Sequence, residues 1–395
     1  MTPTTPDLAP PLGERARRPP VWFIFSVTVA GILANSALSP LGPTILEHFG
    51  RQPSDNGVLV ASAALPGVVM APVIGVLADR FGRRRVLLSC LVVFGVGGLG
   101  VAAAWSFLAI LGFRVLQGVG GAGLLNLAVV LIADHWAGQD RTRLIGHNSA
   151  VLTICLAVVP GVSGLVASNT DWRVSMGFGA FALPVAVVGW KVLPDGGGST
   201  QASVMAQVRA SAALARNKRV VAVMASGFVF FVAIFGVFLT VLPVHLDGEF
   251  GLDEFERGLV LAAPALGASV VAVNLGRIRA VIPLRTLLIG GGVLIAACAL
   301  VMGVADAVWL IVVAAVAYGL GDGSVIPSLQ DLVTDLGGED GRASVMALWV
   351  SSVRMGQTAG PLAFGWLLES RSSGSVMVVG AAVFAVVAVM FVLGP

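Results

Sequence analysis

The stretch GVLADRFGRRRVLL, residues 75–88, joins two long apolar runs through a short polar segment. Asp79 and four arginines fall within residues 79–85, between an apolar run at 57–78 and another at 86–104. Apolar runs of about 20 residues are long enough to cross the hydrocarbon core of a bilayer as helices. The stretch therefore indicates a charged turn between two membrane-spanning helices.

The same alternation of apolar runs and polar breaks continues along the whole chain. Of its 395 residues, 57% are apolar and only 11% are charged, whereas about a quarter of the residues in a soluble domain are charged. This composition excludes disordered, coiled-coil and collagen-like proteins, and unpaired strands are not tolerated in lipid. Twelve helical spans are predicted, at 21–46, 57–78, 86–104, 106–133, 144–168, 172–193, 219–245, 256–277, 284–304, 307–334, 342–368 and 373–393.

The first run also has features of a secretory signal, because Ala34-Asn35-Ser36-Ala37 is similar to a cleavage site. The apolar stretch continues to Leu46, however, and cleavage would leave an odd number of spans. We therefore interpret the run as a membrane span, with cleavage as the alternative.

The basic residues are concentrated in alternate loops. Most of the 24 Lys and Arg residues fall in the cytoplasmic segments if both termini are cytoplasmic, as the positive-inside rule requires. Residues scattered between spans form no nucleic-acid surface, so we expect them to contact membrane lipids instead. The Arg-rich, Lys-poor usage indicates a GC-rich bacterial source, which predicts the bacterial inner membrane.

The two halves of the chain repeat each other at an offset of 201 residues. The matched pairs are Gly118 and Gly319, Gly120 and Gly321, Asp134 and Asp335, Arg141 and Arg342, Pro160 and Pro361, and Gly164 and Gly365. The predicted fold is an all-α membrane protein with twelve transmembrane helices in two pseudo-twofold-related six-helix bundles. Its predicted parts are an N-terminal tail (1–20), two bundles (21–193 and 219–393) and a linker (194–218). Such repeats are typical of secondary transporters that hold substrate near the bilayer midplane.

The quoted loop resembles the motif between helices 2 and 3 of the major facilitator superfamily, in its twelve-helix drug:proton antiporter branch. The resemblance implies that Asp79 contacts the start of helix 11 and that Arg83 pairs with Asp134 at the end of helix 4. Both contacts are physically favourable and would form a latch that favours an outward-open chamber. The alternative is that the arginines only anchor the membrane face. The matching loop at 275–285 has Arg279 in place of the acid, which predicts a latch in one half only.

A second resemblance lies in residues 114–120, RVLQGVG. In the family, the arginine of this helix 4 motif is thought to assist proton movement, which implies such a role for Arg114. An arginine at this depth is costly unless it faces a wet cavity or a partner. The alternative is that its side chain extends outward to the membrane surface.

A third and weaker resemblance concerns the Gly-Pro motif of helix 5 in antiporters. The fifth span keeps Pro160 and Gly164 but has Val159 before the proline, whereas Gly360-Pro361 in the eleventh span is intact. Together with Gly118 and Gly120, these residues form the predicted helix-packing set: Gly118, Gly120, Pro160, Gly164, Gly360 and Pro361. An ordinary proline kink is the alternative.

Asp322 is the deepest acid of the chain, in the middle of the tenth predicted span, whereas the other acids lie in loops or at predicted helix ends. A charge at this depth is costly and marks ion or proton pathways. We predict that Asp322 loads and releases a driving proton, with Arg354 or Arg114 adjusting its proton affinity. The alternative is a permanent Asp322–Arg354 salt bridge that only fixes helix packing.

The remaining predictions concern the substrate. The predicted cavity wall consists of Asn35, Gln117, Asn126, Asn148, Phe231, Phe235, Asn274, Tyr318, Trp349 and Gln357. The expected function is proton-coupled export of small amphipathic or drug-like molecules by a monomer. The alternative is an importer or uniporter of a small organic anion, with Arg114 and Arg354 as substrate clamps. The chain shows no catalytic or metal-ligand set and no ATP motif, so we expect neither an enzyme nor a cofactor.

Overall fold

The computed structural model describes residues 18–194, 217–336 and 338–393. Apart from residues 18–20, 194 and 217–218, the predicted tail (1–20) and linker (194–218) lie outside the described residues. The domain boundaries therefore remain predictions.

Twelve helical segments follow one another through the described residues. They are α1 (Val21–Ser36, continued after a turn by Gly42–His48), α2 (Asp55–Phe81), α3 (Arg83–Ala102), α4 (Phe107–His135), α5 (Gly138–Asn169), α6 (Trp172–Met176, Gly177–Phe181 and Ala182–Val192), α7 (Lys218–Ala233, Ile234–Val241 and Leu242–Phe250), α8 (Glu254–Ala262 and Pro264–Val281), α9 (Leu284–Val304), α10 (Val308–Leu336), α11 (Gly338–Leu368) and α12 (Ser373–Leu393). Over the described part of the chain, ten segments are long and apolar enough to cross a membrane. The predicted all-α membrane fold is confirmed, with span ends within two helical turns of the prediction.

Glycine contacts repeat from one half to the other. Gly118 of α4 lies against the carbonyl of Ala63 in α2, and Gly319 of α10 lies against the carbonyl of Pro264 in α8. Both partners are shifted by the same 201 positions. A Cβ atom on either glycine would overlap the facing carbonyl, so only glycine allows the two backbones to approach so closely. The sequence repeat is therefore also a structural repeat.

We predict that Gly118→Val destabilises the protein, whereas Gly112→Val on the same helix does not. Gly118 faces the Ala63 backbone, while a Cβ on Gly112 has open space around it. Overpacking of a close contact costs about 1–3 kcal/mol, and substitutions away from such contacts cost about 0.5 kcal/mol or less. Thermal unfolding of the two purified variants in the same detergent measures the difference. Equal stabilities would contradict the packing argument.

The two halves touch at one end of the molecule, which we name the closed end. There Gly57 of α2 lies against the carbonyl of Pro361 in α11. On the opposite side of the same end, Gly258 of α8 lies against the carbonyl of Pro160 in α5, and Gly164 of α5 lies against Glu254. The α2–α11 and α5–α8 contacts are pseudo-twofold mates, since each partner is shifted by 201 positions.

The same helix faces lose these contacts at the other end, which we name the open end. Gly75 of α2, Gly146 of α5 and Gly276 of α8 each lie 18 residues from the closed-end glycine of their own helix. Eighteen residues are five turns at 3.6 residues per turn, so each pair shares one face of its helix. A Cβ atom on any of these three glycines would have nothing within 4 Å. The halves thus diverge from the closed end and leave a chamber between them that opens at the other end.

An apolar seal fills the closed end between the halves. Leu38, Leu41 and Leu59 of the first half belong to one cluster with Phe235 and Leu239 of the second half. Leu41 and Leu59 are fully buried. The second-half residues come from the π-helical part of α7, Ile234–Val241, a geometry that is common at functional sites. The seal separates the chamber from water at this end.

Candidate functional site

Arg114 is fully buried, and its guanidinium group binds α1 at the point where that helix is interrupted. Its Nη1 donates to the carbonyl of Ala34 at 2.8 Å, its Nη2 donates to Oδ1 of Asn35 at 3.0 Å, and its Nε donates to the carbonyl of Leu59 in α2 at 3.1 Å. α1 ends at Ser36, where a cation is favoured by the exposed carbonyls and the helix dipole. Arg114 therefore binds α1 and α2 to α4, and its side chain does not extend to the membrane surface.

We predict that Arg114→Met destabilises the first half by about 2 kcal/mol, because hydrogen bonds from a charged donor contribute about 1.5–3 kcal/mol. Arg114→Lys should recover only part of this loss, since an ammonium group cannot reproduce three donors in a planar fork. Thermal unfolding of both variants in detergent is the measurement. Wild-type stability of Arg114→Met would show that the three bonds are not structural.

Asp322 lies in the middle of α10, and its Oδ1 is buried with no hydrogen-bond partner among the described residues. On α11, Nη1 of Arg354 donates to Oε1 of Gln357 at 3.2 Å. The Arg354 side chain also passes close to Gly67 of α2, so it reaches across the chamber between the halves. None of the ion pairs of the described residues joins Asp322 to Arg354. A permanent Asp322–Arg354 salt bridge is thus absent from this conformation.

The aromatic residues of the predicted cavity wall separate into two groups. The rings of Phe235 and Trp349 each lie 6.4 Å from that of Phe231, centroid to centroid. Tyr318 instead stacks on Phe238 of α7 at 5.3 Å and is almost fully buried. The first group joins α7 to α11, whereas Tyr318 lies inside the second bundle.

Asn35 and Asn148 stabilise helix contacts in the first half. Asn35 accepts the hydrogen bond from Arg114. Asn148 of α5 is buried and accepts a hydrogen bond from Oγ1 of Thr28 in α1 at 2.6 Å. Asn35 therefore contributes to the contact of α1 with α4, and Asn148 contributes to the contact of α1 with α5.

The other predicted polar residues lie farther apart. Gln117 is buried between Gly97 of α3 and Gly179 of α6, and among the described residues neither polar atom of its amide has a hydrogen-bond partner. The structure therefore places Gln117 on the side of α4 that packs against α3 and α6. Asn126 is exposed, and Asn274 donates to the carbonyl of Val270 in its own helix.

At the open end, Arg83 at the start of α3 forms an ion pair with Asp134, and its Nη2 lies 3.6 Å from Oδ1 of Asp79 at the end of α2. The second half contains an equivalent ion pair between Arg279 of α8 and Asp331 of α10. Each of these two ion pairs lies within one half, so the latch between the halves, which requires Asp79 to contact the start of helix 11, stays a prediction, as does its restriction to one half. The acid of the second pair lies one helical turn before Asp335, so a strict 201-residue offset does not find it.

The helix-packing set lies at helix contacts within and between the halves. Pro160 and Gly164 of α5 face α8, and Pro361 of α11 faces α2, all at the closed end. Gly360 instead lies against the carbonyl of Val232 in α7. Pro160, Gly164 and Pro361 thus lie where the two bundles meet, whereas Gly360 packs inside the second bundle.

A polar junction at the closed end was not predicted from the sequence. Arg257, in the first turn of α8, is 2% exposed and forms an ion pair with Oδ1 of Asp247 at 2.6 Å. Its Nη2 also donates to Oγ1 of Thr44 at 2.8 Å. The Thr44 hydroxyl, which belongs to the other half, donates to Oε1 of Glu254 at 2.6 Å. A sequence signal did exist, because three acids and an arginine follow one another at the start of a span.

Comparisons with known proteins agree with this arrangement. The sequence profile described as Major Facilitator Superfamily matches residues 24–253 and 224–395. The "Bacillibactin exporter" of Bacillus subtilis (strain 168) is 24% identical over 364 residues, covering 88% of this chain and 89% of that protein. The "Quinolone resistance protein NorA" of Staphylococcus aureus (strain MRSA252) is 27% identical over 38% of this chain and 40% of its own length.

Solved structures share the fold. The human organic anion transporter MFSD10 superimposes with a TM-score of 0.70 at 17% identity, covering 97% of this chain and all of that one. The nucleoside transporter NupG gives a TM-score of 0.76 at 13% identity, covering 94% of this chain and 99% of that one. With the profile match over nearly the whole sequence, the chain belongs to the Major Facilitator Superfamily.

Proposed function

We propose that the protein is a proton-coupled exporter of small amphipathic molecules that works by alternating access. One observation carries the proposal: in the middle of α10, Oδ1 of Asp322 is buried and has no hydrogen-bond partner among the described residues. An unpaired charge at this depth is costly, so an acid there indicates a functional site. Export is favoured over import by the relatives named as an exporter and as a quinolone resistance protein.

The distribution of basic residues supports an orientation of the protein in the membrane. Arg80, Arg83, Arg84 and Arg85 lie at the open end, so the positive-inside rule assigns this end to the cytoplasm. The protein then has both termini in the cytoplasm of a bacterium and spans its inner membrane. In this orientation the described conformation is open inward and closed outward, and the predicted Asp79 latch would engage in the opposite state.

A transport cycle follows from this placement. In the inward-open state Asp322 releases its proton to the cytoplasm, and a substrate enters the chamber beside the rings of Phe231 and Trp349. The halves then rock, the open end closes and substrate leaves on the outer side. A proton from outside neutralises Asp322, which lowers the cost of returning it through the closed intermediate. One proton moves inward for each such return.

An anion importer or uniporter is the second candidate, and one observation favours it. Arg354 has the neutral amide of Gln357 as its described hydrogen-bond partner, so its charge is available to an anionic group in the chamber. Arg114 does not fit the same role, because it is fully buried and donates to three protein acceptors. Of the two arginines predicted as substrate clamps, only Arg354 therefore fits the role.

The test is transport by purified protein in liposomes with an imposed pH gradient. Ethidium serves as the cationic probe, a fluorescent quinolone as the zwitterionic probe and fluorescein as the anionic probe. We expect uphill movement of the first two against the proton flow and collapse of that movement by a protonophore. Downhill movement of fluorescein at a rate that does not depend on the pH gradient would favour the second candidate instead.

A further inference from the structure

A cavity at the closed end lies within the second bundle, apart from the chamber between the halves. Its volume is about 420 Å³, which is in the usual range for small-molecule sites. The end of α7, the end of α9 and the start of α12 enclose it, and α7 contributes the side chains of His245, Glu249 and Phe250. Asp322 and Arg354 do not line it. The cavity is therefore distinct from the proposed transport site.

The internal repeat shows which group occupies the equivalent place in the first half. The register holds at this end, since Gly50 after α1 and Gly251 after α7 are 201 positions apart and have φ angles of 61° and 63°. In the first half, Nη2 of Arg173 in α6 lies 3.2 Å from Nε2 of His48 and donates to the carbonyl of Ala104 at 3.4 Å. A guanidinium group thus lies there between the end of α1 and the end of α3.

The second half keeps the frame of this place but lacks the guanidinium group. The mate of the histidine is Glu249 and the mate of the alanine is Ala305, and both line the cavity. The mate of the arginine is Gly374, where a Cβ atom would lie 2.7 Å from the carbonyl of Gly303. The chain therefore has no room for its own side chain at that position. None of the ion pairs of the described residues includes Glu249, so an acid is present without the cation of its mate.

The polar groups around the cavity favour a cation with N–H donors. His245 is 4% exposed, its Nδ1 lies 2.9 Å from Oγ of Ser373, and its Nε2 is buried with no partner among the described residues. With the ring proton on Nδ1, Nε2 can accept a further N–H. α7 and α9 both end here, and the carbonyls at helix C-termini favour positive charge. α12 begins here, but Oγ of Ser372 accepts the backbone N–H of Ser375 at 3.4 Å and occupies one of its free donors.

We propose that the cavity is an outer-side binding site for an organic cation that carries a guanidinium or primary ammonium group. Glu249 pairs with the charge, Nε2 of His245 accepts one N–H, and the ring of Phe250 packs on the hydrocarbon part of the ligand. A metal ion does not fit, because no three His, Cys, Asp or Glu side chains in the described part of the chain are placed to hold one. The sidedness, though not the site itself, rests on the orientation given under the proposed function.

Saturation-transfer NMR with n-propylguanidinium, which reproduces the arginine side chain, tests the site. The protein is placed in nanodiscs of phosphatidylcholine, a lipid without net charge, and empty nanodiscs give the background. We expect saturable binding with a dissociation constant of about 1 mM, as suits so small a ligand. n-Propylammonium should compete, whereas tetramethylammonium, which carries the charge but no N–H donor, should not. Equal competition by tetramethylammonium would indicate only a diffuse negative potential and would overturn the proposal.

Two variants locate the binding. Glu249→Gln removes the charge and keeps the shape, and it should weaken binding by about tenfold or more, because charge-assisted hydrogen bonds are the strong ones. Ser375→Phe fills the cavity, leaves every charge in place and should weaken binding as much. Glu369→Gln is the matched control, because Glu369 is an exposed acid at the same end that does not line the cavity. Wild-type binding by Glu249→Gln or Ser375→Phe would overturn the site. Because transport is not the readout, failure of the exporter proposal would leave this result interpretable.

Discussion

Asp322→Asn is expected to abolish uphill transport while leaving substrate exchange intact. The amide has almost the same shape as the carboxylic acid but cannot lose or gain a proton at this position. Oδ1 of Asp322 has no hydrogen-bond partner in the described conformation, so the substitution breaks no existing bond. We therefore expect a folded protein in which the halves still rock but no longer use the proton gradient.

Two assays on the same liposomes separate these effects. Accumulation of ethidium driven by a pH gradient should fall to the level of protein-free vesicles, whereas counterflow of labelled against unlabelled ethidium should continue. Asp306→Asn is the matched control, because Asp306 lies in the exposed connection between α9 and α10. It should transport as the wild type does. Gradient-driven accumulation by Asp322→Asn would show that another group carries the proton.

Gly57→Leu and Gly75→Leu are expected to trap the protein in opposite states. The two glycines share one face of α2, but Gly57 touches the Pro361 backbone of the other half and Gly75 faces open space. A leucine at position 57 would prevent closure of the closed end. A leucine at position 75 fits the described state and would obstruct closure of the open end. Overpacking of about 1–3 kcal/mol or more corresponds to a population shift of about tenfold or more.

Both variants should lose transport, so the informative measurement is which side is accessible. Labelling of an engineered cysteine in the chamber from each side of right-side-out vesicles distinguishes them; the three native cysteines are buried. Gly57→Leu should be labelled from outside and Gly75→Leu from inside. Gly164→Leu at the closed end and Gly146→Leu at the open end offer the same comparison on α5. Identical labelling patterns for the two α2 variants would contradict the diverging arrangement of the halves.

The sequence was sufficient for the fold because its signals are long and repeated. Apolar runs with polar breaks predicted the twelve helices, and the 201-residue offset predicted the contacts of Gly118 and Gly319 as structural mates. The Arg83–Asp134 pair followed from a loop motif. These features depend on local composition or on a constant register, both of which are visible in a linear chain.

The contacts between the halves could not be predicted in the same way. Arg257 appears in the sequence as one more loop arginine, and only the folded chain brings it to Thr44, more than 200 positions away. Gln117 has the composition of a cavity residue, but the rotation of α4 directs it to α3 and α6. Which side of a nearly uniformly apolar helix faces the chamber is decided by packing, because such a helix has no distinct polar face.

Spin-label distances across both ends of one protein population test alternating access most directly. One label pair at positions 52 and 370 spans the closed end, and a second pair at positions 142 and 280 spans the open end between α5 and α8. In wild-type protein in nanodiscs, conditions that increase the population with a short 142–280 distance should increase the population with a long 52–370 distance by the same amount. Distances that change together, or a 142–280 distance that stays long under every pH and substrate condition, would contradict the account.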